Sequence, residues 1–365
     1  MTEPAHELFK IDGVAGIVAL GWNVRLNEHM LATSQNISQL VSARRVGRVG
    51  RIDRGWSTIL LSTTDSERVR NIGADVAVGD WVLISEDFER VEHVLPRGSA
   101  LTRRASSDAM RAESHTVASN VDTVLVVQAA SGEVNLRRIE RELVLAFDSG
   151  AQPVVVFNKR DEIDPNAVAD LLAQVQPVLA GVPVHVVSAR TGEGLDDLRA
   201  YTYIYGAESP ATIALLGASG VGKSTLVNAL SGHDGQVTGE VREGDQRGRH
   251  TTTAAELVRL ANGGWLVDTP GLRAVSLWMS SNGIERAFAD VFAVAEKCKF
   301  RDCKHEDEPG CTVQDAIKAG TLQAARLANM KALVAEELEL EEQQAVHERG
   351  YDRKGARKLL KNNDR

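Results

Sequence analysis

The sequence predicts a multidomain α/β chain: an N-terminal OB-type β-barrel, a central parallel sheet with helices on both faces, and a helical C-terminal domain gathered by a metal. Three observations predict it. Short strands separated by glycine turns fill about residues 37–100. From about residue 112, near-continuous apolar runs alternate with helical stretches, as in a sheet buried on both faces. All three cysteines fall between Cys298 and Cys311, around one histidine.

Composition sets the outer bounds. With 365 residues, 43% hydrophobic and 25% charged, the chain has material for two or three ordinary globular domains. No apolar run approaches the ~18 residues of a membrane span. Met1-Thr-Glu-Pro4 lacks the basic and apolar blocks of a signal peptide, so a cytoplasmic protein with no membrane partner is expected. Three clustered cysteines argue against a disulfide framework. The net charge of −8 argues mildly against nucleic acid, yet Ala43–Arg54 holds five arginines and one acid, a local +4.

In chain order, residues 1–36 show no periodicity and read as a loosely structured leader. Barrel strands are predicted at Arg45–Ile52, Thr58–Ser62, Asp80–Ile84 and Arg90–Leu95, with a turn at Val78-Gly-Asp80. Trp56 and Trp81 sit on these alternating strands and read as core, with base stacking as the other use. Pro96–Met110 reads as a polar linker. Buried strands come next at Thr123–Val127, Pro153–Phe157, Pro183–Val187, Thr212–Leu216 and Trp265–Val267, with helices at Arg137–Phe147, Val168–Leu179 and Leu195–Tyr201 between them.

In such sheets chemistry sits at the carboxyl ends of the strands. Thr212–Leu216 runs into Gly217-Ala218-Ser219-Gly220-Val221-Gly222-Lys223-Ser224-Thr225 and then a helical pattern: strand, phosphate loop, helix. The glycines let successive amides point into one concavity at a helix N-terminus, which suits a polyphosphate. Lys223 can reach the β- and γ-phosphates and the Ser224 hydroxyl can ligate Mg²⁺. A second strand ends in Asn158-Lys159-Arg160-Asp161, which looks like the guanine-reading motif of GTPases. A carboxylate there accepts from guanine N1–H and N2–H₂, a pair that adenine does not present. The Lys159 stem packs on the base and the backbone of Ser188-Ala189, at the next strand end, closes the pocket.

Past the phosphate loop, Gly248-Arg-His-Thr-Thr-Thr253 looks like a first switch, with Thr252, or Thr251 beside it, backing the γ-phosphate and Mg²⁺. Asp268-Thr-Pro-Gly271 resembles a second switch: Asp268 supports Mg²⁺ through water and the Gly271 amide senses the γ-phosphate. The base-reading motif precedes the phosphate loop, so the order is circularly permuted relative to Ras-type GTPases. The second switch then lies near the end of its domain, where its movement can pull directly on the C-terminal segment.

That segment contains Cys298-x4-Cys303-x-His305-x5-Cys311, three thiolates and an imidazole in 14 residues. This suits one closed, structural Zn²⁺, with no open position for catalysis. Lys297, Lys299, Arg301 and Lys304 offset the site's negative charge. A helix is expected from about Leu322 to Val346, and Arg349–Arg365, with seven bases and two acids, reads as a flexible basic tail suited to RNA phosphate.

Barrel, permuted GTPase and Cys₃His segment in this order resemble the ribosome-small-subunit-dependent GTPase A family. The resemblance covers about residues 37–320. Within it fall an OB-fold domain over 37–100, a circularly permuted P-loop GTPase domain over 112–275 and most of a zinc-binding helical domain over 283–347; the leader over 1–36 and the basic tail over 348–365, read from the residues alone, lie outside it. The resemblance implies a cytoplasmic, monomeric GTPase that binds GTP/GDP with Mg²⁺ and the small (30S) ribosomal subunit with its rRNA, and acts late in maturation of that subunit. Leu272 stands where a water-orienting glutamine would sit in Ras-type enzymes, and the resemblance points to His250, in the first switch, as the substitute. A GTP-gated switch on another RNA or on the large subunit is the competing expectation. A zinc-delivering metallochaperone fits the closed cysteine spacing less well.

Overall fold

A computed structural model describes residues 14–23, 26, 28–29, 32, 45–53, 55–103, 115–179, 181–204, 209–232, 255–268 and 279–342. A short helix α1 (Val14–Val18) precedes five barrel strands: β1 (Arg45–Asp53), β2 (Trp56–Leu60), β3 (Ser66–Arg70), β4 (Trp81–Ile84) and β5 (Val91–Val94). β1 pairs antiparallel with both β2 and β4, β2 with β3, and β4 with β5. A parallel bridge from Arg70 to Arg90 joins the β3 end to the β5 start and closes the ring. This is the OB order, wrapped around Val49, Ile59, Val69, Val82, Ile84 and Val91. The polar β3, Ser-Glu-Arg-Val-Arg, was not expected as a strand, because it buries only Val69. Its place comes from ladder bonds to β2, not from its own pattern.

The linker expectation needs correction. Residues 100–103 form β6 (Ala100–Arg103), which pairs with β7 (His115–Ser119). The leader does too: Ile17, Leu20, Trp22 and Leu26 are buried in the main core. Trp22 packs edge-on against Trp81, which is 1% exposed and so belongs to the core as expected. Trp56 is half-buried, flanked by the Arg68 and Arg70 guanidinium groups at 5.2 and 5.0 Å from its ring.

The arginine island is not one solvated face. Arg48 is 1% exposed and lies over Trp81. It donates to Leu20 O at 2.5 Å, Asn120 O at 3.2 Å and Thr212 Oγ1 at 2.7 Å, joining leader, barrel and sheet. Burial lowers its pKa to about 10, with Asp122 and Asp80 opposing the shift. Arg51 pairs with Glu256 at 3.6 Å and Arg45 stacks on Phe88.

The second unit runs β8 (Thr123–Ala129), α2 (Leu136–Asp148), β9 (Gln152–Asn158), α3 (Ala167–Leu179), β10 (Val184–Val186), α4 (Leu195–Arg199), the small hairpin β11 (Tyr203–Ile204) and β12 (Ser209–Pro210), β13 (Thr212–Leu216), α5 (Lys223–Ser231), β14 (Glu256–Arg259) and β15 (Trp265–Asp268). The sheet order is β10-β9-β8-β13-β15-β14, parallel except for β14, and β14 meets barrel strand β1 at Arg51 and Glu256. Alternate strand residues face opposite ways. Val124, Val126, Val155 and Phe157 pack with α2 and α3, whereas Leu125, Val127, Val154 and Val156 pack with α4 and α5. The two-sided helical cover is as expected.

The last unit holds α6 (Ser281–Ala287), α7 (Ala289–Ala295), α8 (Thr312–Lys318) and a helix α9 over 324–342. It is fastened to α2. The Arg326 guanidinium, 1% exposed, donates to Glu140 at 2.8 Å and to Asp290 at 2.6 and 2.7 Å, and lies over Phe288. Asn329 donates to the other oxygen of Glu140. Arg141 makes a two-pronged pair with Glu336 at 2.5 and 2.7 Å. Ser280, just before α6, donates to Asp148 at the end of α2. The expected pull of the second switch on the C-terminal segment falls on residues 269–278, outside the described ones; the segment it would act on is anchored to α2.

Candidate nucleotide site and metal centre

Three loops at the carboxyl ends of parallel strands meet on one buried amide. Asn158, 2% exposed at the end of β9, donates through Nδ2 to Val221 O in the phosphate loop at 3.0 Å. Its Oδ1 accepts from the Ala189 amide at 2.9 Å. One side chain therefore ties Gly217–Thr225 and Ser188-Ala189 to its own loop. The fit requires glycine twice: Gly217 (φ 149°) would place a Cβ 2.3 Å from Val127 O, and Gly222 (φ 90°) would place one 2.3 Å from Asn158 Nδ2.

Lys223 opens α5 and curls back over the loop, where Nζ donates to Gly217 O at 2.8 Å and Ala218 O at 2.6 Å. Burial holds its pKa below the usual lysine value, and Glu142 opposes that shift. Ser219, Gly220, Ser224 and Thr225 are exposed around it, while Val221 anchors the loop in the core. Such a concavity of amides and one ammonium at a helix N-terminus can hold a polyphosphate.

At the other end, Lys159 takes a left-handed turn (φ 68°) and Arg160 donates its amide to Val187 O, which sends the chain back beside β10. Asp161 then meets Ser188, whose Oγ donates to Oδ1 at 2.5 Å, and Arg190, whose Nη2 lies 2.6 Å from Oδ2. The Ser188 bond first, and Arg190 with Lys159 after it, hold the carboxyl below the usual range, so it is an acceptor at neutral pH. Sequence reasoning did not single out Arg190, although its place directly after Ser188-Ala189 was a usable signal. Asp268 ends β15, and burial raises its carboxyl above the usual value. His250, Thr251, Thr252 and Gly271 lie outside the described residues.

The predicted metal ligands come together. One ligand atom from each of Cys298, Cys303, His305 and Cys311 lies within 4.8 Å of all the others. Cys298 and Cys311 Sγ are each 3.6 Å from His305 Nδ1 and 4.0 Å from one another. A tetrahedron with bonds of ~2.3 Å has edges of roughly 3.8 Å, so this donor set fits Zn²⁺. The loop is held independently: Glu308 accepts from the Lys304 and Glu306 amides, bonds that keep its carboxyl down at about 2, and Gln314 donates to His305 O. Among the described residues, no helix is long and apolar enough to cross a membrane.

A phosphate loop and Asn-Lys-x-Asp at the ends of one parallel sheet, in inverted order, place the chain in the class of circularly permuted P-loop GTPases. A family model described as RsgA GTPase matches residues 94–278. The chain is 43% identical over 305 residues to the Small ribosomal subunit biogenesis GTPase RsgA of Streptomyces coelicolor, covering 80% of each chain. It is 39% identical over 275 residues to the like-named protein of Methanosarcina acetivorans, covering 74% of this chain and 72% of that one. The YjeQ structure from Thermotoga maritima is similar at TM-score 0.59 and 28% identity, over 81% of this chain and 99% of that one. The chain belongs to the RsgA GTPase family and is a GTP hydrolase.

Proposed function

We propose that this chain hydrolyses GTP to GDP and phosphate while bound to the small (30S) ribosomal subunit, and acts in late maturation of that subunit. The observation that carries this reading is the Asn158 amide, which links the phosphate loop and the Ser188-Ala189 loop to the loop bearing Asp161. The names of the relatives, small ribosomal subunit biogenesis GTPases, support the partner. Asp161 reads guanine, with Lys159 and Arg160 shaping its turn and Ser188-Ala189 closing the pocket. Gly217–Thr225 holds the phosphates. Ser224 and Thr252, with Asp268 through water, would hold Mg²⁺, which neutralises charge between the β- and γ-phosphates. Thr251 is the alternative to Thr252, and the Gly271 amide reports the γ-phosphate. Water attacks the γ-phosphorus, the bond to the β,γ-bridging oxygen breaks, and GDP leaves. His250 orients that water when the chain is bound to the subunit.

Cys298, Cys303, His305 and Cys311 would hold one Zn²⁺ that fixes the loop between α7 and α8 and takes no part in hydrolysis. The protein acts as a cytoplasmic monomer. The test is GTP turnover by the purified chain alone, with small subunits, and with large subunits. Small subunits are expected to raise the rate at least tenfold, and His250→Ala to abolish most of that rise while leaving GTP affinity near normal. Equal stimulation by large subunits would defeat the partner assignment, and equal stimulation of His250→Ala would defeat the role of that histidine.

A further inference from the structure

Glu142 is an acid with no surface function: it is 1% exposed, on the face of α2 turned towards the sheet. Its one hydrogen bond is accepted from Gln128 Nε2 at 2.6 Å. No cation lies within ion-pair distance of it among the described residues. Gln128 is on β8, next to Val127, whose carbonyl abuts Gly217. Gln128 also lines a cavity of about 260 Å³ with Ala218, Ser219 and Gly220 of the phosphate loop and with Arg138. The carboxyl therefore stands one residue behind the loop.

A carboxylate without water and with only a neutral donor is costly, so burial should favour its protonated form. Burial indeed raises Glu142 to about 7, with Arg138, Gln128 and Lys223 pulling it back. The charges that reach it are Arg138, one turn earlier on α2, and Lys223 at the start of α5; β8 offers only the Gln128 amide. Nothing titratable on β9, α3, α6 or α7 acts on it, and the charged groups that α9 brings to α2, Arg326 and Glu336, are taken up by Glu140 and Arg141. Lys223, whose Nζ is held by Gly217 O and Ala218 O, thus acts on the buried carboxyl through space from the place where it would meet the phosphates. Phosphate brought to the loop claims the ammonium and adds negative charge beside Glu142, and both effects disfavour the carboxylate.

We propose that Glu142 is a positioning residue of the phosphate site, acting on the loop through Gln128 and on the phosphates through Lys223, and that it takes up a proton from solvent when a guanine nucleotide binds. This rests on the proposed nucleotide site. The sign is fixed by linkage: binding that raises the Glu142 pKa must weaken as pH rises from about 7 through the bound-state value.

The experiment titrates the full-length protein with GDP and Mg²⁺ by calorimetry between pH 7 and 8.5, in two buffers of different ionisation enthalpy. Excess Mg²⁺ keeps the terminal phosphate of GDP ionised over most of this range, and the Glu142→Gln protein reports any proton that the nucleotide itself exchanges. The parent should take up a fraction of a proton near pH 7 and lose roughly fivefold in affinity by pH 8.5. Glu142→Gln, which keeps an acceptor for Gln128 but cannot ionise, should take up none and bind with a flat pH profile. Glu142→Asp should restore the uptake, which a merely structural role would not. Parent protein that binds GDP without proton uptake overturns the proposal with no reference to any variant. So does Glu142→Gln with the parent's thermal midpoint and the parent's pH profile. A parent that binds no GDP at all overturns this proposal and the nucleotide reading together.

Discussion

The strand-end site and the α2 junction hold the molecule together in opposite ways. At the strand ends, one amide side chain and the backbone join the loops, glycines let them close, Ser188 and Arg190 hold Asp161, and the residues of each loop are contiguous. At the junction, Arg326 is buried between Glu140 and Asp290, and Glu140 is 186 residues away in sequence. Burial pushes Glu140 up, and Arg326 only partly offsets this. The difference teaches where a sequence motif ends: ligand chemistry dictates residue types at fixed spacing, whereas a domain junction needs only that charges find each other in space. It also teaches how each should fail. Loss of a site residue changes what binds, while loss of a junction residue changes what stays folded.

The largest expected effect comes from Arg326→Ala. It leaves Glu140 buried with only the neutral Asn329 amide as a partner, and breaking a buried pair typically costs about 3–5 kcal/mol. Urea unfolding should show that loss with GDP affinity at low denaturant near the parent's. A loss under ~1 kcal/mol would mean that the junction is not held by this network.

A smaller, local effect should come from zinc removal. The metal would tie the loop between α7 and α8, but α9 and α6 are held to α2 by Arg326, Arg141 and Ser280. Chelation should therefore expose residues 298–311 to protease and leave GDP affinity intact. Purified protein without one zinc per chain, or GDP affinity that collapses on chelation, would erase the contrast between the two regions.

Much of the site was legible because its residues answer to a ligand. Gly222 has to be glycine beside Asn158, and Lys223 has to come directly after it; such requirements leave a pattern in sequence. The parallel sheet was legible for a related reason, since Thr123–Ala129 and Gln152–Asn158 bury nearly every residue. Arg48 and Arg326 were not. Each has the composition of a surface residue, and only the fold supplies the carbonyls and acids that make burial tolerable. Strand Ser66–Arg70 and the docked leader were missed likewise: one buried valine, or four apolar residues without period, gives no pattern to read.

The central claim is that these strand ends form a guanine site read by Asp161. The most direct test compares the affinities of the parent and Asp161→Asn for GTP and xanthosine triphosphate. An amide keeps one acceptor and presents a donor where guanine also donates, whereas the C2 carbonyl of xanthine accepts from it. The account predicts that the parent prefers GTP and that Asp161→Asn loses at least tenfold for GTP while gaining for the xanthine nucleotide. Unchanged GTP preference in Asp161→Asn would contradict it.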